Sequence, residues 1–359
     1  MFSLRFRRLF LAAALLLVVC ALPAKAAFQI DVRPGYGVTG LKWLSDYNPA
    51  LRGTDYDTPV YVMEGKEPGG RALLFAGTHS REIAGPLSAT ILLENARVTR
   101  GTLFVIPCLN AAGMSVPDSL GQVPHELVVQ TRGGKRVLYY GDRRIPLQPG
   151  ESDPPEFVHP TGYVHKDGAE WRNINRNYPG VAEGTPAQRV CFGVMELIRR
   201  EKIGTNLDVH EATAPESVLD PRDGKTYPGG TLSYSLITHP KYIDTAIEMI
   251  FDLEDRGVNL KAEQSIPGFR GISHYEIGEG TSCVPFLSET PNPAQNDHAV
   301  GIDPLHDAKH PIGERVAIQL EIFREWLGSC EKITGAPVVI EGLPDKKQIG
   351  ESGVGAFLR

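Results

Sequence analysis

Two apolar strands with a helix between them are the feature that most constrains the fold of this chain. Residues 72–76 (Ala-Leu-Leu-Phe-Ala) and 102–107 (Thr-Leu-Phe-Val-Ile-Pro) are almost continuously apolar, which is typical of strands in a sheet that is covered on both faces. Residues 84–97 are predicted to be a helix, since Pro86 is tolerated in its first turn. This order indicates a βαβ unit, so we expect a single α/β domain with a central mixed, largely parallel twisted sheet flanked by helices on both faces.

The rest of the chain adds further elements of both kinds. Strands are predicted at residues 59–64, 205–210, 231–238 and 283–288, and helices at residues 186–201, 241–256 and 311–328. Residues 112–170 are rich in proline, glycine and charge, with one hairpin-like piece around residues 136–140. We expect them to form a long loop insertion near the site within a catalytic domain of residues 27–334. The glycine-rich tail, residues 335–359, is expected either to add a hairpin or to stay loose.

The N-terminus is predicted to be a secretory signal peptide of residues 1–26. Three arginines among the first eight residues precede an apolar run at residues 9–22, and residues 24–26 (Ala-Lys-Ala) have the small residues of a cleavage site. The apolar run is short for a membrane span, and no later stretch is long and apolar enough. We therefore expect a periplasmic or secreted protein that does not bind a membrane after cleavage.

The composition limits the partners and the cross-links of the chain. There are 37 Lys and Arg against 43 Asp and Glu, and residues 1–26 contain four of the basic residues and none of the acidic ones, so the mature chain would carry a net charge of −10. This charge argues against nucleic acid as a partner. Four cysteines follow residue 26, too few and too scattered for a disulfide scaffold. One or two bridges, or buried free thiols, both remain open.

Two separated segments carry side chains that can bind a metal ion. His79 and Glu82 are three residues apart, just after the predicted strand 72–76. His210 ends a later predicted strand, and ligands in open α/β sheets gather at the carboxyl ends of strands. Two histidines and one carboxylate leave the fourth position of a zinc ion open, so we predict one Zn²⁺ at these three residues. Asp208, on the same strand face as His210, is either an acceptor for that histidine or a solvated carboxylate.

A second histidine-rich segment is the rival metal site. His298, His306 and His310 lie in one stretch with three aspartates, and the last two histidines are four residues apart. Pro304 and Pro311 flank them, and no apolar strand leads into the segment. A metal site here is therefore the less favoured alternative.

The combined pattern resembles the zinc carboxypeptidases of the carboxypeptidase A type and their relatives, the succinylglutamate desuccinylases and aspartoacylases. The pattern consists of His-x-x-Glu, a long gap, residues 175–180 (Asn-Arg-Asn-Tyr-Pro-Gly) and a histidine at a strand end, with 127 residues between Glu82 and His210. Residues 172–176 (Arg-Asn-Ile-Asn-Arg) are similar to the Arg-Asp-Leu-Asn-Arg string of the deacylase-like branch. The resemblance covers roughly residues 55–330 and implies a zinc carboxypeptidase-like fold.

The resemblance also implies roles for the matching residues. The implied zinc ligands are His79, Glu82 and His210. Asn175 and Arg176 match the pair that holds a substrate carboxylate, and a guanidinium suits this task because its fork meets a carboxylate bidentately. Glu289, which closes an apolar strand 79 residues after His210, matches the general base. Glu276 and Glu279 are the other carboxylates of that region.

The resemblance also bears on three further positions, and two of them depart from the pattern of the family. Arg172 is the implied residue for stabilising the oxyanion, although no arginine lies between Arg144 and Arg172, where some relatives place theirs. Asn173 stands where the family often has an aspartate that bonds a ligand histidine, so the acceptor is kept and the charge is lost. Tyr275 is either a mobile tyrosine over the site or a plain loop tyrosine.

These observations predict an exported zinc-dependent amide hydrolase that acts on a small substrate with a free carboxylate. The favoured form is a metallocarboxypeptidase-type peptidase, in which metal-activated water attacks the amide and Glu289 is the general base. An N-acyl amino acid deacylase of the succinylglutamate desuccinylase/aspartoacylase type is the first alternative, favoured by the string at residues 172–176. A non-catalytic binding module on the same fold is the second.

Overall fold

The computed structural model describes residues 28–266 and 268–359. The predicted signal peptide, residues 1–26, lies outside the described residues. None of the helices in the two described ranges combines the length and the apolar character that crossing a bilayer requires.

A mixed sheet of nine strands forms the centre of the described part of the chain. The strands, in chain order, are β1 (Gly40–Trp43), β2 (Pro59–Glu64), β3 (Glu67–Ala76), β4 (Arg97–Ile106), β5 (Glu126–Thr131), β6 (Gly134–Tyr139), β7 (Phe157–Val158), β8 (Val164–His165), β9 (Thr205–Thr213), β10 (Val218–Leu219), β11 (Thr226–Tyr227), β12 (Ser235–Thr238), β13 (Lys261–Gln264), β14 (Val284–Asn292) and β15 (Val339–Glu341). The main sheet runs β1-β2-β4-β3-β9-β14-β12-β13, and β15 also pairs with β4. Its central strands β4, β3, β9 and β14 are parallel to one another, and antiparallel pairings lie on both sides of them.

Helices cover both faces of this sheet. The α-helices of the described residues are α1 (Ala84–Asn95), α2 (Ala111–Met114), α3 (Pro186–Arg200), α4 (Ile243–Glu254), α5 (Ser273–Gly280), α6 (Ile312–Gly328), α7 (Cys330–Thr334) and α8 (Lys346–Ser352). One core lies between the sheet and α1, α4 and α6, and a second core lies on the opposite face against α3. The predicted α/β class, with its βαβ unit of β3, α1 and β4, is confirmed.

Strand alternation decides which side chains of β9 meet which layer. Leu207 and Val209 belong to the core beneath α1 and α6. Asp208 and His210, one position out of phase with them, therefore point to the opposite face. The second core on that face contains Phe75 of β3, the in-register neighbour of Asp208. The polar residues of β9 thus lie at the border of an apolar layer.

The two long irregular segments contain more regular structure than the sequence predicted. Residues 112–170 form two hairpins, β5–β6 and β7–β8, instead of one. The tail, residues 335–359, forms neither a hairpin nor a loose end: β15 pairs antiparallel with β4, and α8 follows. Ile349 and Leu358 bury their side chains in the first core, and this burial fixes the tail. The four described cysteines are buried free thiols.

Candidate active site

His79, Glu82 and His210 meet at the carboxyl ends of β3 and β9. Gly77, with φ of 65°, turns the chain away from β3 in a conformation that favours glycine, and the turn directs His79 and Glu82 toward β9. The Nδ1 atom of His79 lies 2.7 Å from Glu82 Oε1, and the Nδ1 atom of His210 lies 2.8 Å from Glu82 Oε2. All three side chains are buried. Among the described residues, they are the only group of three or more potential ligands close enough to share one ion.

The Nδ1 atom of His79 faces Glu82 without a hydrogen, because the hydrogen of the ring is on Nε2. His79 Nε2 lies 3.0 Å from Asn173 Oδ1, and the amide nitrogen of Asn173 donates to Glu170 Oε2, which fixes which end of the amide is the oxygen. Nε2 must therefore carry the hydrogen. Burial, with a smaller effect from Arg143, lowers the pKa of His79 to about 4, so the ring is neutral at pH 7. A lone pair and a carboxylate oxygen then face each other across 2.7 Å, a repulsion that a cation between them would remove.

His210 is oriented from its other side by Asp208. Its Nε2 atom lies 3.0 Å from Asp208 Oδ1, although the angle does not make a hydrogen bond. Asp208 is fixed in turn because it accepts hydrogen bonds from Thr78 Oγ1 at 3.0 Å and Ser273 Oγ at 2.6 Å. Burial lowers the pKa of His210, but Asp208 and Glu82 outweigh it and raise that pKa well above its usual value. The proton held there is the one that a divalent cation would displace.

Glu82 supplies the negative charge of the group. Burial raises its pKa, but His79 and His210 outweigh this effect and hold the pKa of Glu82 well below its usual range. The carboxylate also accepts hydrogen bonds from the backbone N–H of Glu211 and from the side chain of Gln295. Two imidazole nitrogens and one carboxylate oxygen, all within 4.8 Å of one another, fit a divalent cation, and this donor set suits zinc.

A cavity of about 540 Å³ opens beside these three residues. Its polar lining includes Arg143, Asn175, Arg176, Glu263, His274 and Glu289. Apolar side chains such as Leu287 and Phe269 complete the wall. The cavity is therefore large enough for a small substrate and brings groups of both charges close to the metal-binding group.

Glu289 lies beside His210 because the two residues are in-register partners on the parallel strands β14 and β9. The residue is half-buried, and its Oε2 atom is fully buried with no hydrogen-bond partner among the described residues. Burial raises the pKa of Glu289 well above its usual value; His210 opposes this shift and Glu82 adds to it. An unpaired carboxylate of raised basicity next to the metal-binding group is the arrangement that a general base requires.

Asn175 and Arg176 lie in a short 3₁₀ turn, Ile174–Arg176, that faces the same cavity. Asn175 is held because its Oδ1 accepts the backbone N–H of Ser273 at 2.8 Å. The Nε atom of Arg176 lies 3.1 Å from Glu170 Oε2, and its guanidinium stacks over the ring of Phe269. Burial lowers the pKa of Arg176 to about 10, which leaves it charged at neutral pH.

Arg172 lies outside this cavity, contrary to the sequence prediction. Its Nε and Nη2 atoms each lie 2.7 Å from an oxygen of Asp153, and Nη1 donates to the carbonyl of Ile145 at 2.7 Å. All of its donor nitrogens are therefore directed at loop partners. The role of Arg172 in stabilising an oxyanion is corrected on this ground.

Tyr275 also lies outside the cavity. It is in α5 rather than in a loop, and its ring packs against His239 and beneath the guanidinium of Arg270. The preceding residue, His274, lines the cavity instead. Tyr275 is therefore removed from the substrate-binding residues.

Arg143 is the cationic residue that the sequence analysis missed. It lines the cavity, and its Nη1 atom lies 3.7 Å from Glu82 Oε1. It comes from the long segment 112–170, which was expected near the site without any residue being chosen. The sequence around Arg143 has no periodic or motif signal that could have found it.

The rival histidine segment does not form a common centre in the described chain. His298 pairs with Asp220 at 2.9 Å, and His306 pairs with Asp303 at 2.9 Å. His310 lies 2.8 Å from a third carboxylate, that of Glu216. The three rings therefore point to three different partners.

Comparisons with known proteins gave matches among solved structures alone. No protein-family model and no curated protein matches this chain. The cell shape determinant Csd4 from Helicobacter pylori, in its apo structure, is 13% identical, covers 81% of this chain and 58% of its own, and superposes with a TM-score of 0.47. This chain thus spans less than two thirds of the length of that protein.

Two other solved structures also match this chain. A metallo-carboxypeptidase from Burkholderia cenocepacia is 12% identical over 77% of this chain and 61% of its own, with a TM-score of 0.42. An aspartoacylase family protein from Mesorhizobium loti is 14% identical over 68% of this chain and 59% of its own, with a TM-score of 0.34. All three matches have TM-scores below 0.5 and identities below 15%.

Proposed function

We propose that this protein is an exported zinc-dependent amide hydrolase that acts on substrates with a free carboxylate, and that it is a metallocarboxypeptidase-type peptidase. The observation that carries the proposal is the convergence of His79, Glu82 and His210 beside a cavity that also contains Glu289 and Arg176. Each of these groups has a separate task in amide hydrolysis. Export to the periplasm or outside the cell follows from the predicted signal peptide.

The metal would be held by the Nδ1 atoms of His79 and His210 and by the carboxylate of Glu82. When bound, zinc supplies Lewis-acid activation of the scissile carbonyl and of a water molecule. Asn173 and Asp208 keep the two rings in the orientation that directs Nδ1 to the shared centre.

Glu289 would accept the proton of the attacking water and return it to the leaving amine. Its unpaired Oε2 leaves it free to accept that proton, and its raised pKa makes it a stronger base than an exposed carboxylate. The strand pairing with His210 fixes its distance from the metal-binding group.

Each of the two cavity arginines would interact with a different negative charge of the substrate. Arg143, on the side of Glu82, would stabilise the charge that develops on the carbonyl oxygen. Arg176 would bind the free carboxylate, and its pairing with Glu170 holds the guanidinium in place beforehand. Substrate positioning by Arg176 brings the amide to Glu289 and the metal-binding group.

An N-acyl amino acid deacylase of the succinylglutamate desuccinylase/aspartoacylase type is the second candidate. The string at residues 172–176 favours it, and such a substrate also presents a carboxylate next to an amide. Hydrolysis of C-terminal residues from short peptides, compared with hydrolysis of N-acyl amino acids, distinguishes the two. A non-catalytic binding module would hydrolyse neither.

The test uses purified protein loaded with zinc, a panel of both substrate classes, and matched reactions with a chelator. We expect chelator-sensitive hydrolysis of peptides with a free C-terminus. Glu289→Gln should lower kcat by about 10³-fold while zinc stays bound, as expected for loss of a general base. Glu279→Gln, on the exposed side of α5, is the control and should keep wild-type kcat.

The ligand set is tested separately by elemental analysis. His210→Ala should lose zinc, since one of three donors is removed. Full zinc occupancy in that variant would reject the proposed ligands, and chelator-resistant hydrolysis would reject the metal mechanism.

A further inference from the structure

We propose that Gln319 of α6 is a positioning residue, which holds the strand segments of His210 and Glu289 in place from the face of the sheet opposite the cavity. The inference rests on the proposed function, in which His210 binds the metal ion and Glu289 is the general base. Gln319 is fully buried beneath α6 and acts through these two residues. It adds a residue outside the cavity to the groups on which the reaction depends.

Strand alternation places Gln319 and the cavity on opposite faces of β14. Glu289 lines the cavity, so its neighbours Ser288 and Thr290 point to the face that α6 covers. Both of these hydroxyl residues are fully buried. Val209, the in-register partner of Ser288, belongs to the core on that face. A polar side chain of α6 can therefore reach both neighbours of the general base.

Gln319 forms hydrogen bonds with both strands of the site. Its Oε1 accepts the hydroxyl of Ser288 at 2.7 Å. Its Nε2 donates to Thr290 Oγ1 at 3.2 Å and to the carbonyl oxygen of His210 at 3.0 Å. Both hydrogens of the amide nitrogen are used, and the carbonyl of His210 can only accept, so the orientation of the amide is fixed. One carboxamide thus contacts the residue before Glu289, the residue after it, and the backbone of the metal-binding histidine.

The apolar surroundings make these three hydrogen bonds resist displacement of the strands. Val316 and Leu320, close to Gln319 on α6, are fully buried in the core on this face. A hydrogen bond in such surroundings is stronger than in water, and a polar group that loses its partner there is costly. Movement of β14 against β9 would stretch either the bond to His210 or the bonds to the two hydroxyls. The carboxamide therefore opposes any change in the separation of the base from the metal ligand.

The test compares the wild type with three variants. Gln319→Leu keeps a similar side-chain volume and removes the three hydrogen bonds. A triple variant combines it with Ser288→Ala and Thr290→Val, so that the two hydroxyls are not left unpaired. Val316→Ala is the control, because it weakens the packing of α6 against the sheet and valine has no hydrogen-bonding group in its side chain.

The measurements separate positioning from stability. For each zinc-loaded protein, kcat, KM, the Kd for zinc and the midpoint of urea unfolding are determined under conditions in which circular dichroism shows it to be folded. The absorption spectrum of the cobalt(II)-substituted protein reports the ligand geometry independently of turnover. A purely structural role would change the urea midpoint alone.

Gln319→Leu and the triple variant should both lower kcat by about 10- to 100-fold, as expected when reacting groups are displaced by about 1 Å. KM should change little, because Arg176, which would bind the substrate carboxylate, lies on a 3₁₀ turn outside both strands. The Kd for zinc should rise about tenfold, and the cobalt spectrum should change. The triple variant should be more stable to urea than Gln319→Leu, and Val316→Ala should lose stability with wild-type kcat, Kd and spectrum.

Unchanged kcat, Kd and spectrum in Gln319→Leu would overturn the proposal. Recovery of kcat in the triple variant, or an equal loss in Val316→Ala, would also overturn it, because the loss would then come from unpaired groups or from packing. If Gln319→Leu does not fold, the triple variant carries the same comparison. A wild type that binds zinc without hydrolysis would reject the proposed function, and the Kd and the spectrum would still decide on Gln319. A wild type that binds no metal would overturn both.

Discussion

Glu170 holds together the cationic side of the cavity, and its replacement gives a stability change that can be worked from the structure. Its carboxylate lies 2.8 Å from Arg144 Nη2 and 3.1 Å from Arg176 Nε, and it accepts the amide N–H of Asn173 at 2.8 Å. Burial raises its pKa, but Arg176 and Arg143, with Arg144, outweigh burial and lower the pKa of Glu170 to about 2 from a usual 4.5.

The pKa difference sets the size and the pH dependence of the effect. A folded-state pKa below the unfolded one means that the ionised carboxylate stabilises the fold above pH 4.5 and that this contribution is lost as the pH falls through about 2. The shift corresponds to about 3 kcal/mol at pH 7. Glu170→Gln should therefore lower the free energy of unfolding by about 3 kcal/mol at pH 7, and the deficit should shrink by about 2 kcal/mol at pH 3.

The assay is urea denaturation at pH 7 and pH 3, followed by circular dichroism, in the presence of a chelator so that metal binding does not contribute. Glu196→Gln is the matched control, because Glu196 pairs with Arg199 at 2.9 Å on the exposed face of α3. We expect the control to change the free energy of unfolding by less than about 0.5 kcal/mol. A deficit in Glu170→Gln that is equal at the two pH values would refute the reasoning, because it would show that the carboxylate charge is not responsible.

Two further predictions concern the candidate catalytic groups. Arg143→Ala should lower kcat by about 10²- to 10³-fold with a small change in KM, as expected when an oxyanion donor is lost. Arg172→Ala should leave kcat near the wild-type value. Steady-state kinetics on one C-terminal dipeptide checks both variants, and equal losses of kcat in the two would remove the oxyanion role from Arg143. Asn173→Ala should weaken zinc binding by about 10- to 100-fold, since the Nε2 atom of His79 loses its acceptor. Competition with a chromophoric chelator measures the Kd for zinc. An unchanged Kd would show that Asn173 does not support His79 as a ligand.

Strand ends and short spacings were the parts of the site that the sequence could predict. His79 and Glu82 follow a strand directly, and His210 lies within another, so the sheet itself brings the three together. Glu289 was found in the same way, although β14 continues past it to Asn292. These positions depend on sheet topology, which apolar runs reveal.

Residues whose direction depends on a single turn could not be predicted. Arg172 and Arg176 are four residues apart, but they lie in two successive 3₁₀ turns joined at Asn173, so their side chains leave in different directions. His274 and Tyr275 differ by one position on α5, and a helix turns by about 100° per residue, so that only His274 faces the cavity. Arg143 depends on the path of an entire irregular segment, for which the sequence has no periodic signal.

The pairing of β9 with β14 fixes the positions of His210 and Glu289 relative to each other. Sliding one strand by a single residue would turn all its side chains to the other face, so the hydrogen-bond ladder of the sheet interior keeps His210 and Glu289 on one face. β13, by contrast, is the last strand of the path, and in residues 28–266 and 268–359 it pairs with β12 alone. A change of side chain on β13 therefore alters one wall of the cavity and leaves the pairing of β9 with β14 in place.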